Sequence, residues 1–158
     1  WINERESNLL DGAAHFYDTY ECKDGKFIAV ACIEDKFYKE MINKLEITDE
    51  RFLKQFNKDM WSELKAILGE KFLSKNRDEW ATIFKDSDAC ITPILDLDEA
   101  PKHEHNKSRS TFIERDGVIQ PNPSPRFSKT PLEVKSSPKK IGEDNSFVSE
   151  KYNISLSD

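Results

Sequence analysis

Apolar and polar positions alternate from Phe16 to Cys22, and then a nearly continuous apolar run extends from Phe27 to Ile33. Between them stands Lys23-Asp24-Gly25. Asp-Gly between two β-favouring runs predicts a hairpin, because glycine supplies the positive φ that a tight turn needs. Alternation puts Tyr17 and Thr19 on one face and Phe16 and Tyr20 on the other. The second run, FIAVACI, is apolar at odd and even positions alike, so it is expected to be a central strand covered on both sides. Glu34 follows it directly. An acidic residue there suits the N-terminus of a helix, whose dipole favours negative charge, and it equally suits a site carboxylate at the mouth of a buried strand.

Helical spacing takes over downstream. Phe37, Tyr38, Met41, Ile42 and Leu45 predict an amphipathic helix from Asp35 to about Leu45. Thr48 is an N-cap candidate for a short helix carrying Phe52, Leu53 and Phe56. A stripe of Met60, Trp61, Leu64, Ile67, Leu68 and Phe72 predicts another from about Lys58 to Phe72. Asn76 with Glu79 forms the pattern of a capping box, opening a helix that turns Trp80, Ile83 and Phe84 inward. Cys90 to Leu95 reads as a strand interrupted by Pro93, which confines it to an edge or an extended segment, and Asp96 with Glu99 as the start of a short helix ending near Pro101 to His103. Thr111–Arg115 and Val118–Gln120 around Asp116-Gly117 predict a second hairpin. Beyond it Pro121, Pro123, Pro125, Pro131 and Pro138 preclude regular structure, with one weak helix expected from Phe147 to Leu156. The predicted fold class is α+β: a small antiparallel sheet built on a hairpin, packed with several short helices and followed by an extended Pro-rich tail.

The chain has 158 residues, 37% hydrophobic and 34% charged, which is enough for one domain with a modest core. The expected organisation is a linker over residues 1–8, a small domain over 9–128, and an extended or mobile segment over 129–158. Its net charge of -6, with scattered basic residues, argues against nucleic acid as a partner. No apolar run approaches the roughly 20 residues that span a bilayer, so no membrane partner is expected. Cys22, Cys32 and Cys90 lack metal-ligand spacing and are expected to be reduced, buried thiols. Nothing near Cys90 in sequence would lower its pKa and make it a nucleophile. His103-x-His105 has no third ligand at a sensible spacing, so no metal site is predicted.

A resemblance narrows these readings. Leu9-Leu10-Asp11-Gly12-Ala13-Ala14, Phe16-Tyr17-Asp18-Thr19-Tyr20, Asp24-Gly25-Lys26, Ile33-Glu34 and Phe37-Tyr38 resemble the small domain of the racemases of the class III CoA-transferase family. Arg77-Asp78-Glu79-Trp80, Asp88-Ala89-Cys90-Ile91-Thr92-Pro93-Ile94-Leu95, His105-Asn106-Lys107-Ser108-Arg109 and Ser124-Pro125-Arg126-Phe127-Ser128 follow in the same order. The match covers about residues 8–131, and long co-linear motifs are hard to reach by chance.

The resemblance implies inversion of the carbon next to an acyl-CoA thioester carbonyl, by removal of the α-proton, an enolate, and return of a proton to the opposite face. It also implies that the proton-transferring His and Asp belong to a large domain, and that two protomers interlock as a homodimer so that this small domain forms the second wall of the site. Position by position, Glu34 would orient that His, while Leu10, Tyr17 and Ile33 would line the acyl pocket. CoA is part of the substrate, and no separate cofactor is implied. The implied compartment is mitochondrial or peroxisomal, although Ser155-Leu156-Ser157-Asp158 is not a peroxisomal ending. His15 stands where the family usually has Pro, and Ala31-Cys32 where it has Gly-Ala. The alternatives are CoA transfer between carboxylic acids, whose enzymes place Asn-Asp at Ile33-Glu34 or a Gly-rich loop before the hairpin, and a non-catalytic dimerisation module.

Overall fold

The computed structural model describes residues 1–155 and divides into two compact units, Trp1–Ile94 and Leu95 onward. In the first, strands β1 (Tyr17–Glu21) and β2 (Phe27–Ala31) form the predicted hairpin, with Tyr17 opposite Ala31 and Glu21 opposite Phe27. The turn closes through Cys22 N–H to Lys26 O at 2.7 Å and Gly25 N–H to Cys22 O at 2.9 Å. Gly25 sits at φ +73°, a conformation in which a Cβ is strained. Strand β3 (Ile91–Pro93) pairs antiparallel with the far edge of β2, so the order is β1-β2-β3 and β2 is central as predicted.

Its coverage is another matter. Ile28 and Val30 are buried, whereas Ala29 and Ala31 are half-buried and Phe27 is exposed, so β2 is covered on one face only. The uniform apolarity of the run misleads because alanine is tolerated on a half-open face as readily as in a core. Phe16, Tyr20 and Cys22 turn to the covered face, as the alternation requires.

Three helices supply that cover. Helix α1 (Asp35–Lys44) buries Tyr38 and Met41, α2 (Trp61–Phe72) buries Trp61, Leu64, Leu68 and Phe72, and α3 (Arg77–Phe84) buries Trp80 and Phe84. The capping box predicted for α3 is present, Asn76 and Glu79 each satisfying the other's backbone. Phe72 stands edge-on to Trp80 at 5.4 Å and beside Tyr20 at 5.1 Å, joining the helices to β1. Each large side chain buried here contributes about 1.5–3 kcal/mol.

The segment before α2 departs from expectation. Asp49, not Thr48, is the N-cap, its carboxylate accepting from Arg51 N–H at 3.0 Å; a 3-10 turn, Glu50–Leu53, forms in place of the short helix, and a second, Lys58–Met60, leads into α2. Phe52 is buried, but Leu53 and Phe56 are exposed, because so short a turn can present only one side chain to the core. Residues 1–12 lie in turns and bends held by partly buried and surface polar groups. Lys65 of α2 donates to Gly12 O at 2.7 Å and pairs with Asp18 at 2.5 Å, and Lys58 donates to Ser7 O at 2.8 Å.

The second unit holds α4 (Glu104–Ser108) and the hairpin of β4 (Phe112–Arg115) with β5 (Val118–Pro121). Asp116 and Gly117 both have positive φ, +49° and +78°, which fits the right-handed twist of a two-residue hairpin turn. Residues 129–140 form neither helix nor strand, and Arg115 donates to the Val134 carbonyl. The last helix, α5, spans Asn145–Tyr152; the Leu156 end predicted for it, and the final Leu156-Ser157-Asp158, lie outside the described residues. Among the described residues no helix is long and apolar enough to cross a membrane.

Candidate functional site

The hairpin has a closed end at Asp24-Gly25 and an open end at which β1 begins and β2 runs into α1. Pairing continues past the ladder, with Cys32 N–H donating to Phe16 O at 2.9 Å. A tight turn then follows, Ile33 N–H to Ala31 O at 3.1 Å. Glu34 is the N-cap of α1, extended at φ -74° and ψ 139°, and its carbonyl accepts from Phe37 and Tyr38 N–H at 3.0 Å. Its side chain does not cap the helix and is exposed. The carboxylate is thus free to act outward while its backbone is held.

Tyr17 and Ile33 are half-buried at the same open end, each packed against the edge of the core. With Ala29, Ala31 and Thr19 they form the uncovered face of the sheet, low in relief because alanine and threonine are small. Leu10 lies on the preceding loop, 56% exposed, so the structure brings Tyr17, Ile33 and Glu34 together and presents Leu10 from a separate segment. That loop is rigidly made: Asp11 accepts from Asn8 and Ser7 N–H and from the Asn8 amide, and the Asn8 side chain above all holds its carboxyl at a pKa of about 2. A groove of about 210 Å³ between α1 and residues 47–55 is lined by Tyr38, Ile42, Phe52, Leu53 and Gln55, and the residues predicted for the acyl wall lie outside it.

Beneath the open end is a buried polar layer that spacing and composition did not disclose. His15 is fully buried, ringed edge-on by Phe16 at 5.1 Å and by Tyr38 and Phe52 at 5.6 Å. Its Nε2 lies 2.8 Å from Tyr38 Oη, and that hydroxyl donates to Phe52 O at 3.0 Å. A tyrosine has one hydroxyl proton, so with it given to Phe52 the imidazole Nε2–H is the donor and Nδ1 carries the lone pair. Among the described residues Nδ1 has no hydrogen-bond partner. Desolvation lowers the His15 pKa to about 4, and the same cause pushes the Tyr38 hydroxyl up. His15 is therefore a neutral core residue whose partner, Tyr38, comes from 23 residues along the chain.

Gln55 completes the layer. It is 6% exposed, and its Nε2 donates to Cys32 O at 3.0 Å and Ile33 O at 2.9 Å. The one signal for it in the sequence is an uncharged polar residue between Phe52 and Phe56.

The cysteines divide. Cys22 and Cys32 are buried and free as expected, with pKa values raised by desolvation to about 11 and about 12. Cys90 is exposed instead of buried, at φ +50°, because Ala89 takes the inward position at the start of β3. Partial desolvation raises its thiol pKa, as do the carboxylates of Glu34 and Asp88, which disfavours a thiolate nucleophile. Among the described residues no three His, Cys, Asp or Glu side chains form a group that could hold a metal ion.

Residues 2–145 match the model of CoA-transferase family III. The chain is 37% identical over 158 residues to alpha-methylacyl-CoA racemase of Mus musculus, covering 98% of this chain and 41% of that protein. It is 39% identical over 132 residues to alpha-methylacyl-CoA racemase of Homo sapiens, covering 83% and 35%. Among solved structures it is similar to a CAIB/BAIF family protein from Brucella suis, with a TM-score of 0.65 and 25% identity over 85% of this chain and 37% of that one. The chain thus spans about two fifths or less of the length of the relatives it matches. It belongs to CoA-transferase family III.

Proposed function

We propose that this member of CoA-transferase family III serves, as part of a longer protein, in the inversion of the carbon next to an acyl-CoA thioester carbonyl, and that it contributes one wall of that site. The observation that carries the reading is Glu34: an exposed carboxylate whose side chain leaves its own helix uncapped, on a backbone pinned by β2, α1 and Gln55. The names of the mouse and human relatives supply the reaction class.

In this reading a base removes the α-proton, the electron pair moves onto the thioester oxygen as an enolate, and an acid on the opposite face returns a proton. Those two groups, a His and an Asp, come from the large domain. Glu34 accepts a hydrogen bond from the ring N–H of that His, fixing its tautomer and leaving the other nitrogen toward the substrate. Tyr17, Ile33 and Leu10 form the apolar lining for a branched acyl chain, and the low face of Ala29 and Ala31 leaves room for it. CoA enters as part of the substrate, no separate cofactor takes part, and the site is completed across an interlocked homodimer.

The test is α-proton exchange in deuterated water by the complete protein with a 2-methylacyl-CoA. Racemisation exchanges that proton, whereas transfer of CoA between carboxylic acids need not. Exchange in wild type, lowered about 10-fold or more in Glu34→Gln, is the expected result. Exchange that is absent, or unchanged by Glu34→Gln, sinks the reading.

A further inference from the structure

The carbonyls of Cys32 and Ile33 lie beyond the last ladder pair of β2, Tyr17 with Ala31, and before the first residue of α1. Neither strand nor helix therefore provides for them, and a buried carbonyl without a donor is costly. Gln55 meets both with one nitrogen, at 3.0 and 2.9 Å, spending both N–H groups of its amide. The side chain arrives from a segment 22 and 23 residues away in sequence that is itself anchored twice: Trp61 Nε1–H donates to the Gln55 backbone carbonyl at 2.9 Å, and Tyr38 Oη–H to Phe52 O at 3.0 Å. Tyr38 lies one turn into α1. The segment 52–55 thus grips the entry to α1 on both sides of Glu34, at Cys32 and Ile33 before it and at Tyr38 after it.

We infer that Gln55 is a positioning residue: its buried amide fixes the Cys32–Ile33 backbone and so sets the direction in which Glu34 leaves the sheet. Chemistry restricts the position. Glutamate cannot donate to two carbonyls, methionine fills the space without a donor, and asparagine is shorter by one methylene. The catalytic consequence rests on the reading of Glu34 above, whereas the positioning itself does not.

The experiment uses the full-length protein with Gln55→Met, Glu34→Gln and the double variant. Amide exchange is read at Ile33, Phe37 and Tyr38, whose N–H groups are hydrogen-bonded at this junction, with the β1–β2 amides as an internal control. In Gln55→Met the junction amides are expected to exchange about 10-fold faster or more while the strand amides stay protected. Its kcat should fall about 10-fold to 100-fold with KM within about twofold, since a displaced group costs chemistry more than binding. Added to Glu34→Gln, it should cost less than about a further twofold, because a residue acting through Glu34 has nothing left to position. Gln55→Asn, which cannot span both carbonyls, gives the same exchange readout should Gln55→Met not fold. Unchanged junction exchange in both overturns the inference, as do losses that multiply with Glu34→Gln. A silent Glu34→Gln alongside faster junction exchange would remove the catalytic reading of Glu34 and leave the positioning standing.

Discussion

The two ends of the β1–β2 hairpin are built in opposite ways. At the closed end, local sequence does most of the work: Asp24-Gly25 makes the turn, and neighbouring residues reinforce it. Lys23 N–H donates to Lys75 O at 3.0 Å, and Arg77 N–H to the Asp24 carboxylate at 3.2 Å. Arg77 itself is buried, donating to Ile94 O at 2.8 Å beside the end of β3 and pairing with Asp78 at 2.8 Å. At the open end nothing local suffices. Its backbone is held at Cys32 and Ile33 by Gln55 from a separate segment, with the His15–Tyr38 pair buried beneath, and the side chains it displays, Tyr17, Ile33 and Glu34, are left partly or wholly uncovered. One end is spent on stability, and the other holds a fixed backbone under available side chains.

That contrast makes the closed end sensitive in stability at neutral pH, and the open end sensitive in rate and, through buried His15, in stability in acid. Arg77→Met is expected to lower stability by about 1–3 kcal/mol, since it removes the buried guanidinium that donates to the Ile94 carbonyl, while leaving kcat of the folded protein within about twofold. Urea unfolding together with the exchange assay checks both, and a large loss of kcat at full stability would erase the distinction between the ends.

The open end should instead respond to acid. The His15 pKa is about 4 in the fold against 6.5 when unfolded, so the unfolded chain binds the proton more readily. The stability this group supports is complete above pH 6.5 and is lost as pH falls toward 4, by up to about 3 kcal/mol at about 1.4 kcal/mol per pKa unit. In His15→Leu, unfolding midpoints measured from pH 7 to 4 should fall less steeply than in wild type. Parallel curves would show that His15 is not the group that titrates.

Glu34→Gln should cost about 10-fold in proton exchange, or about 1.4 kcal/mol, with the melting temperature unchanged. A lowered melting temperature would make Glu34 a structural helix-entry residue. Gly25→Ala, which puts a Cβ at φ +73°, should cost about 1–2 kcal/mol of stability and nothing in rate. The smallest effect is one of selectivity: Tyr17→Ala and Ile33→Ala should reduce kcat/KM for long branched acyl-CoA a few-fold more than for short ones, as loss of apolar lining does. Equal losses for both lengths would argue against a role for the sheet face in holding the acyl chain.

Patterns within a few residues of each other were legible without a fold. The Asp-Gly turn, the central place of β2, the inward stripe of α2 and the Asn76–Glu79 capping box all rest on local geometry, and all are present. The family was legible as well, from co-linear motifs such as Ile33-Glu34 and Arg77-Asp78-Glu79-Trp80. Burial was read less well. Cys90, Leu53 and Phe56 are apolar by type yet exposed, because the left-handed start of β3 and the brevity of the 3-10 turn decide which way a side chain points.

Sequence alone thus determined the elements, their order and the residues displayed at the end of β2, since those depend on period, turn chemistry and motif. Tertiary structure decided what lies beneath them. That β2 is open on one face, that His15 is neutral against Tyr38, and that Gln55 holds the carbonyls on which Glu34 depends are outcomes of groups distant along the chain meeting in a dry interior. There an unpaired polar atom is expensive, and the partner that relieves it can come from any segment the fold brings near.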